Sequence, residues 1–131
     1  MILDSSAVVS MIIEEPGHER LLDAVADAAE VAIGAPTLVE VEMVMIGRSG
    51  SRGQSLVARF LERNDVGVIA FHDAHRRAAA DAFIDYGKGR SPAALNYGDC
   101  MTYATAKIAE HPLLFIGGDF AQTDIPPALS S

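Results

Sequence analysis

MILDSSA (residues 1–7) carries a short apolar run into a carboxylate, Asp4, then into two hydroxyls, Ser5 and Ser6, at the head of a helical apolar pattern. The arrangement recurs along the chain. Apolar runs at 31–35 (VAIGA), 66–71 (VGVIAF) and 113–117 (LLFIG) alternate with helical periodicity near 5–14, 18–29, 37–47, 53–63, 73–87 and 97–110. Strand–helix alternation of this kind predicts an α/β fold, with parallel strands and helices packed on the sheet faces. The runs are uniformly apolar rather than alternating, as expected for strands covered on both sides. Two stretches read as loops: GRSGSRG (47–53) and GKGRSP (87–92).

The totals narrow the class. A chain of 131 residues is expected to form one domain with a real core. Half of its residues are hydrophobic and 21% are charged, which argues against a disordered chain. No apolar stretch approaches the roughly 20 residues that span a bilayer, so no membrane association is expected. Asp4 interrupts the first apolar run and no basic region precedes it, so the start does not read as a signal peptide. A lone cysteine, Cys100, cannot form an internal disulfide, and a reducing, cytoplasmic setting is expected. The net charge of −8 argues against a protein held on nucleic acid by phosphate neutralisation alone. It does not exclude one whose acids gather around divalent cations, which then set the local charge under a substrate. It would also attract a basic partner.

The pattern at 37–47 spreads Leu38, Val39, Val41, Met43, Val44, Met45 and Ile46 round most of a helix. A helix apolar all round is buried on more than one side. It either meets a second chain or lies sandwiched within the domain; a strand is the remaining alternative.

Four acids fall where an open parallel sheet puts its chemistry, outside the carboxyl ends of the strands. Asp4 ends the first run, Asp119 follows the last, and Glu40 and Asp99 sit in the first turns of the helices near 37–47 and 97–110. Each has a local explanation. Thr37-x-x-Glu40 reads as a capping box and Asn96-x-x-Asp99 nearly does; Asp4 or Ser5 can cap the first helix; Asp119, after Gly117 and Gly118, can be a turn residue. Gathered along one sheet edge, however, four carboxylates repel one another unless a cation neutralises them. A helix N-terminus favours the ionised carboxylate that a hard cation needs, so the two readings are compatible. Clustered carboxylates suit Mg²⁺ or Mn²⁺, which take oxygen ligands and bridge to substrate phosphates. No Ser-His-Asp order, P-loop or Cys/His zinc spacing competes. His18, His72, His75 and His111 read as surface groups, and Cys100 as a small buried hydrophobe.

MILDSSA at 1–7, TLVE at 37–40, LNYGDC at 95–100 and GGDFAQTDI at 117–125 together resemble PIN-domain ribonucleases, and in particular the VapC toxins of type II toxin–antitoxin modules. The match runs nearly end to end, in order and at the right spacing. The resemblance implies a single PIN domain over 1–131, an α/β/α sandwich around a mainly parallel sheet, and Mg²⁺-dependent endonucleolytic cleavage of RNA. It makes Asp4 and Asp99 metal ligands, has Glu40 complete the site directly or through water, and supplies Asp119 as the fourth acid. Ser6 then orients Asp4 or the water, and Asn96 supports Asp99. Some relatives carry a further polar or acidic residue where this chain has Gly118, so the fourth position rests on Asp119; Asp124 either approaches the site or holds the tail. The family also implies an RNA substrate, a VapB-type antitoxin that wraps the toxin and sets a basic side chain among the acids, and toxin homodimers. RNA must be held by something basic, for which Arg48, Arg52, Lys88 and Arg90 in the two loops are the candidates.

Three other readings are weaker. A phosphoreceiver needs a Lys after a late strand, and none follows LLFIG; a haloacid-dehalogenase phosphatase needs Asp-x-Asp, and Ser6 takes the second position. A PIN-fold module acting only by protein binding would have no use for four intact acids.

Overall fold

A computed structural model describes residues 1–129. Four parallel strands form one sheet: β1 (Ile2–Leu3), β2 (Val31–Gly34), β3 (Val66–Ile69) and β4 (Leu113–Leu114), in the order β3-β2-β1-β4. Six helices accompany them: α1 (Ser5–Ile13), α2 (His18–Asp27), α3 (Ala35–Ser49), α4 (Ser51–Arg63), α5 (Asp73–Tyr86) and α6 (Tyr97–Ala109). The chain steps outward from β1 to β2 to β3, then returns to the other side of β1 for β4. Right-handed crossovers require the helices after such a reversal to lie on the opposite face.

Alternation along the short strands assigns the layers. Leu3, Val31, Ile33 and Leu114 point into a core shared with α1, α2, α3 and α4. Their neighbours Ile2, Ala32 and Leu113 point the other way, into a core shared with α5 and α6. The result is the expected three-layer sandwich. Although β1 is only two residues long, it is central and pairs with both flanking strands, Ile2 with Ala32 and Leu113, Leu3 with Leu114. The chain after it is fixed directly, because Asp4 N donates to Leu114 O at 2.9 Å.

Two expectations change. The stretch 47–53 is not a loop: α3 and α4 meet at the single residue Gly50, whose φ of 60° and ψ of −145° suit glycine alone. Three residues on, a Cβ at Gly53 would lie 2.1 Å from Met45 O, so a glycine there lets the two helices fold back on each other. The glycines that read as loop markers thus serve a one-residue hinge. Nor are all strands covered on both sides. β3 is an edge strand with Gly67 and Val68 exposed, whereas the other edge is closed by the tail: Leu113 N donates to Pro126 O and Ala128 N to Leu113 O. The stretch 87–92 is a loop as expected, closed by Lys88 N donating to Leu95 O at 2.9 Å.

Candidate active site

All four acids follow the carboxyl end of a strand or lie in the first turns of a helix, on the side of an open parallel sheet where ligands bind. Asp4 is 5% exposed and is the N-cap of α1. Its Oδ2 accepts from Ser6 N at 3.1 Å and from Ser6 Oγ at 2.5 Å. Ser6 Oγ in turn accepts from Ile116 N at 3.0 Å, tying the exit of β4 to the Asp4 carboxylate. One side chain therefore joins two segments that are 110 residues apart. The cap and the site are the same structure.

Asp99 is held by a complete capping box. Its N–H donates to Asn96 Oδ1 at 2.9 Å while its own Oδ2 accepts from Asn96 N at 3.1 Å. Its carboxyl is nevertheless pushed up to about 6. Burial is the largest cause; the Asn96 hydrogen bond opposes it, and the charges of Asp4, Asp119 and Glu40 add to it. All three other acids thus act on Asp99.

Glu40 reaches the site by a route that local pattern does not give. Thr37 is not the cap of α3: the helix begins two residues earlier, capped by Gly34 with Pro36 in its first turn. Thr37 is instead inside the helix and buried, its hydroxyl 2.9 Å from that of Thr102 on α6. Glu40 lies one turn further on and rests against Gly98, where an added Cβ would come 3.2 Å from Oε1. Asp119 is exposed, two residues after Gly117, whose φ is 100°, and immediately before a 3-10 turn at Phe120–Gln122.

Among the described residues, no three His, Cys, Asp or Glu side chains form a ready metal cage. The donor chemistry fits a hard divalent cation all the same. The side chains are carboxylates, the oxygen donors such an ion takes, and the Glu40 carboxylate lies against Gly98, next to Asp99.

Asp124 faces elsewhere. It accepts from Tyr103 Oη at 2.5 Å and pairs with Lys107 Nζ at 2.6 Å, one and two turns along α6 from Asp99. The ammonium and then the phenol hold its carboxyl below the ordinary range. Arg48 and Arg52 are exposed on either side of Gly50, and Lys88 and Arg90 are exposed in the loop before α6. Of the histidines read as surface groups, His75 is a correction: it is 5% exposed, accepts from His72 N through Nδ1, and packs on Phe71. Cys100 is buried as expected, and burial raises its thiol.

Sequence pattern gave no role to Gly98 or Thr102 and misread Thr37 as a cap, although Gly98 meets Glu40 and the two hydroxyls meet each other. Gly98 had a signal, since a glycine in the first turn of a helix is costly unless something must approach its backbone. The hydroxyl pair had none.

The inner and outer faces of α3 differ sharply. Thr37, Val41 and Met45 are buried, while Val39, Met43, Val44 and Ile46 are 53%, 67%, 41% and 42% exposed. Val39, Met43 and Val44 line a groove of about 530 Å³ together with Glu40, Tyr97 and Met101.

Comparison with known proteins agrees with this architecture. The family model described as PIN domain matches residues 1–126. The chain is 43% identical over 126 residues to Ribonuclease VapC36 of Mycobacterium tuberculosis, covering 95% of this chain and 91% of that protein. It is 39% identical over 125 residues to Ribonuclease VapC of Mycolicibacterium smegmatis, covering 95% and 97%. Among solved structures, its fold is similar to that of M. tuberculosis VapC20, a sarcin–ricin-loop-cleaving toxin, with TM-score 0.77 at 14% identity over 95% of each chain. It is equally similar to a chain of the VapBC2 complex of Rickettsia felis bound to a promoter DNA fragment, with TM-score 0.77 at 16% identity over 96% and 94%. A family model spanning almost the whole chain, and relatives near 40% identity along it, place this protein in the PIN-domain family, among the VapC ribonucleases.

Proposed function

We propose that the chain is the toxin of a type II toxin–antitoxin module and a divalent-metal-dependent endoribonuclease, with Asp4, Glu40, Asp99 and Asp119 as its metal-binding acids. The reading is supported by a PIN-domain match along nearly the whole chain together with the placement of Asp4 at the N-cap of α1, of Asp99 in the capping box of α6, and of the Glu40 carboxylate against Gly98 beside Asp99. A Mg²⁺ or Mn²⁺ ion held by these acids would supply the positive charge that polarises a scissile phosphodiester and stabilises the departing oxygen. The protein's own part is positional. Ser6 donates to Asp4 and fixes its rotamer, while Asn96 orients Asp99 through two hydrogen bonds. Supporting groups of this sort commonly account for 10- to 100-fold in metal affinity or activity. Asp124, bonded to Tyr103 and Lys107, holds the tail against α6.

Arg48, Arg52, Lys88 and Arg90 are assigned to RNA backbone contacts, which position a substrate without reading its sequence. The exposed apolar strip of α3, with Tyr97 80% exposed beside it, is the surface assigned to protein partners: a VapB-type antitoxin and, in a toxin homodimer, a second copy. The net charge of −8 suits an antitoxin with a basic segment. Among the described residues no helix is long and apolar enough to cross a membrane, and the lone buried Cys100 fits a reducing cytoplasm.

Cleavage of a mixed RNA pool tests the reading. Cutting is expected with Mg²⁺ or Mn²⁺, is abolished by EDTA, and falls by at least about 100-fold in Asp99→Ala, since a direct ligand should matter more than a supporting group. Cleavage that survives EDTA, or that Asp99→Ala leaves intact, overturns the mechanism.

A further inference from the structure

α6 meets the β2–α3 segment along a seam of small residues. On α6 the contacts fall at Gly98, Thr102 and Thr105, spaced to share one helical face. Opposite them lie Glu40, Thr37 and Gly34, in descending order, so the segments run antiparallel. At one end Gly98 admits the Glu40 carboxylate; at the other, a Cβ on Gly34 would sit 2.6 Å from Thr105 Oγ1. Between them the Thr37 and Thr102 hydroxyls meet at 2.9 Å, at 2% and 0% exposure. Thr37 is one turn before Glu40 and Thr102 one turn after Asp99. The hydrogen bond thus lies one helical turn from each acid, on the two helices that carry them.

We infer that the Thr37–Thr102 hydroxyl pair is a spacer that sets the separation of the Glu40 and Asp99 carboxylates, and through it the site's affinity for a divalent cation. The physical reason is contact distance. Two oxygens sharing a proton approach to 2.9 Å, whereas the carbons of two apolar side chains rest about 3.5–4.0 Å apart. Replacing both hydroxyls by methyl groups therefore pushes the seam open by up to about 1 Å at a point one turn from either acid. Buried hydroxyls are an unusual choice if the seam only had to be stable. A pair of isosteric apolar groups removes two polar atoms from the core and is commonly neutral or stabilising. What the oxygens add is closeness and direction.

The double variant Thr37→Val/Thr102→Val separates the two roles. The spacer predicts a wider Glu40–Asp99 separation in its crystal structure and an Mn²⁺ Kd by titration calorimetry weakened about 10-fold or more in a variant that still melts cooperatively. The pair Thr37→Ser/Thr102→Ser keeps both oxygens and should retain wild-type Mn²⁺ affinity. An unchanged carboxylate separation in the Val pair, or unchanged Mn²⁺ affinity beside a wild type that binds, overturns the spacer. The inference about affinity rests on the metal-site reading above. If wild type itself takes up no Mn²⁺, that reading fails, and the carboxylate separation alone then decides for or against the spacer.

Discussion

The two helical layers of this protein are packed with different mixes of side chains. On one face of the sheet, α1–α4 interlock large side chains: Leu3, Val8, Met11, Leu21, Ile33, Val41, Met45, Phe60 and Leu114. On the other, α5 and α6 bring together Ala79, Ala82, Cys100, Ala104 and Ala106, with larger side chains such as Tyr103, Leu113 and Phe120 around them. Large residues fill volume and tolerate some repacking. Small ones bring backbones close and leave no slack. The small-residue layer contains α6, and hence Asp99, while its outward seam holds Glu40 at Gly98. The lesson is one of tolerance. Asp4 and Glu40 ride on α1 and α3 in a core that can repack, whereas Asp99 rides on a tightly packed α6. The spacing of the proposed metal site is therefore expected to be most sensitive on the α6 side.

That contrast can be broken from either side. The largest stability effect is expected from Leu114→Ala, which empties a fully buried position on a two-residue strand and should cost about 2–5 kcal/mol, read from denaturant unfolding. Ala104→Leu attacks the other layer by overfilling it. It should cost about 1–3 kcal/mol, and, because α6 must shift, it should weaken Mn²⁺ binding more than the larger lesion at Leu114 does. Equal loss of Mn²⁺ affinity per kcal/mol in both variants would show that the layers do not differ in this way.

The smallest effect is a pH dependence. Asp99 has a folded-state value of about 6 against the ordinary 3.8. Such a group contributes its full stability below about pH 4, where both states are protonated, and that contribution is lost as pH rises through about 6 and the folded carboxyl is forced to ionise among other acids. In EDTA, the melting temperature of wild type minus that of Asp99→Asn should therefore decline between pH 4 and pH 7. A flat difference would show that Asp99 is neither desolvated by burial nor crowded by the other acids, and added Mn²⁺ should reverse the decline at pH 7.

Local signals in the sequence were read well where a few neighbouring residues decide the outcome. Asn96 and Asp99 form their capping box because both partners lie within one turn, and Asp4 caps α1 through the N–H two residues on. The same logic misplaced Thr37, since a Thr-x-x-Glu pattern cannot tell a helix start from a first turn already begun at Ala35 by Pro36. The glycines at 47–53 marked a break correctly but not its length, because close packing of α3 on α4 reduces the connection to Gly50. His75 looked like a surface group among polar neighbours, but it is buried, packed on Phe71 and bonded to the His72 N–H.

By itself, then, the sequence determined the elements, their parallel arrangement and the four acids at the sheet edge. Apolar periodicity, caps and strand ends are all written within a few residues of where they act. The tertiary structure alone decided which distant groups lie beside those acids. Ser6 meets Ile116 across 110 residues and Thr37 meets Thr102 across 65, and neither pairing leaves a trace in local pattern. It also decided that one face of α3 is core and the other open beside the site, a difference invisible in a helix that is apolar on nearly every side. Contacts between distant segments depend on how layers pack, and packing is a property of the whole chain.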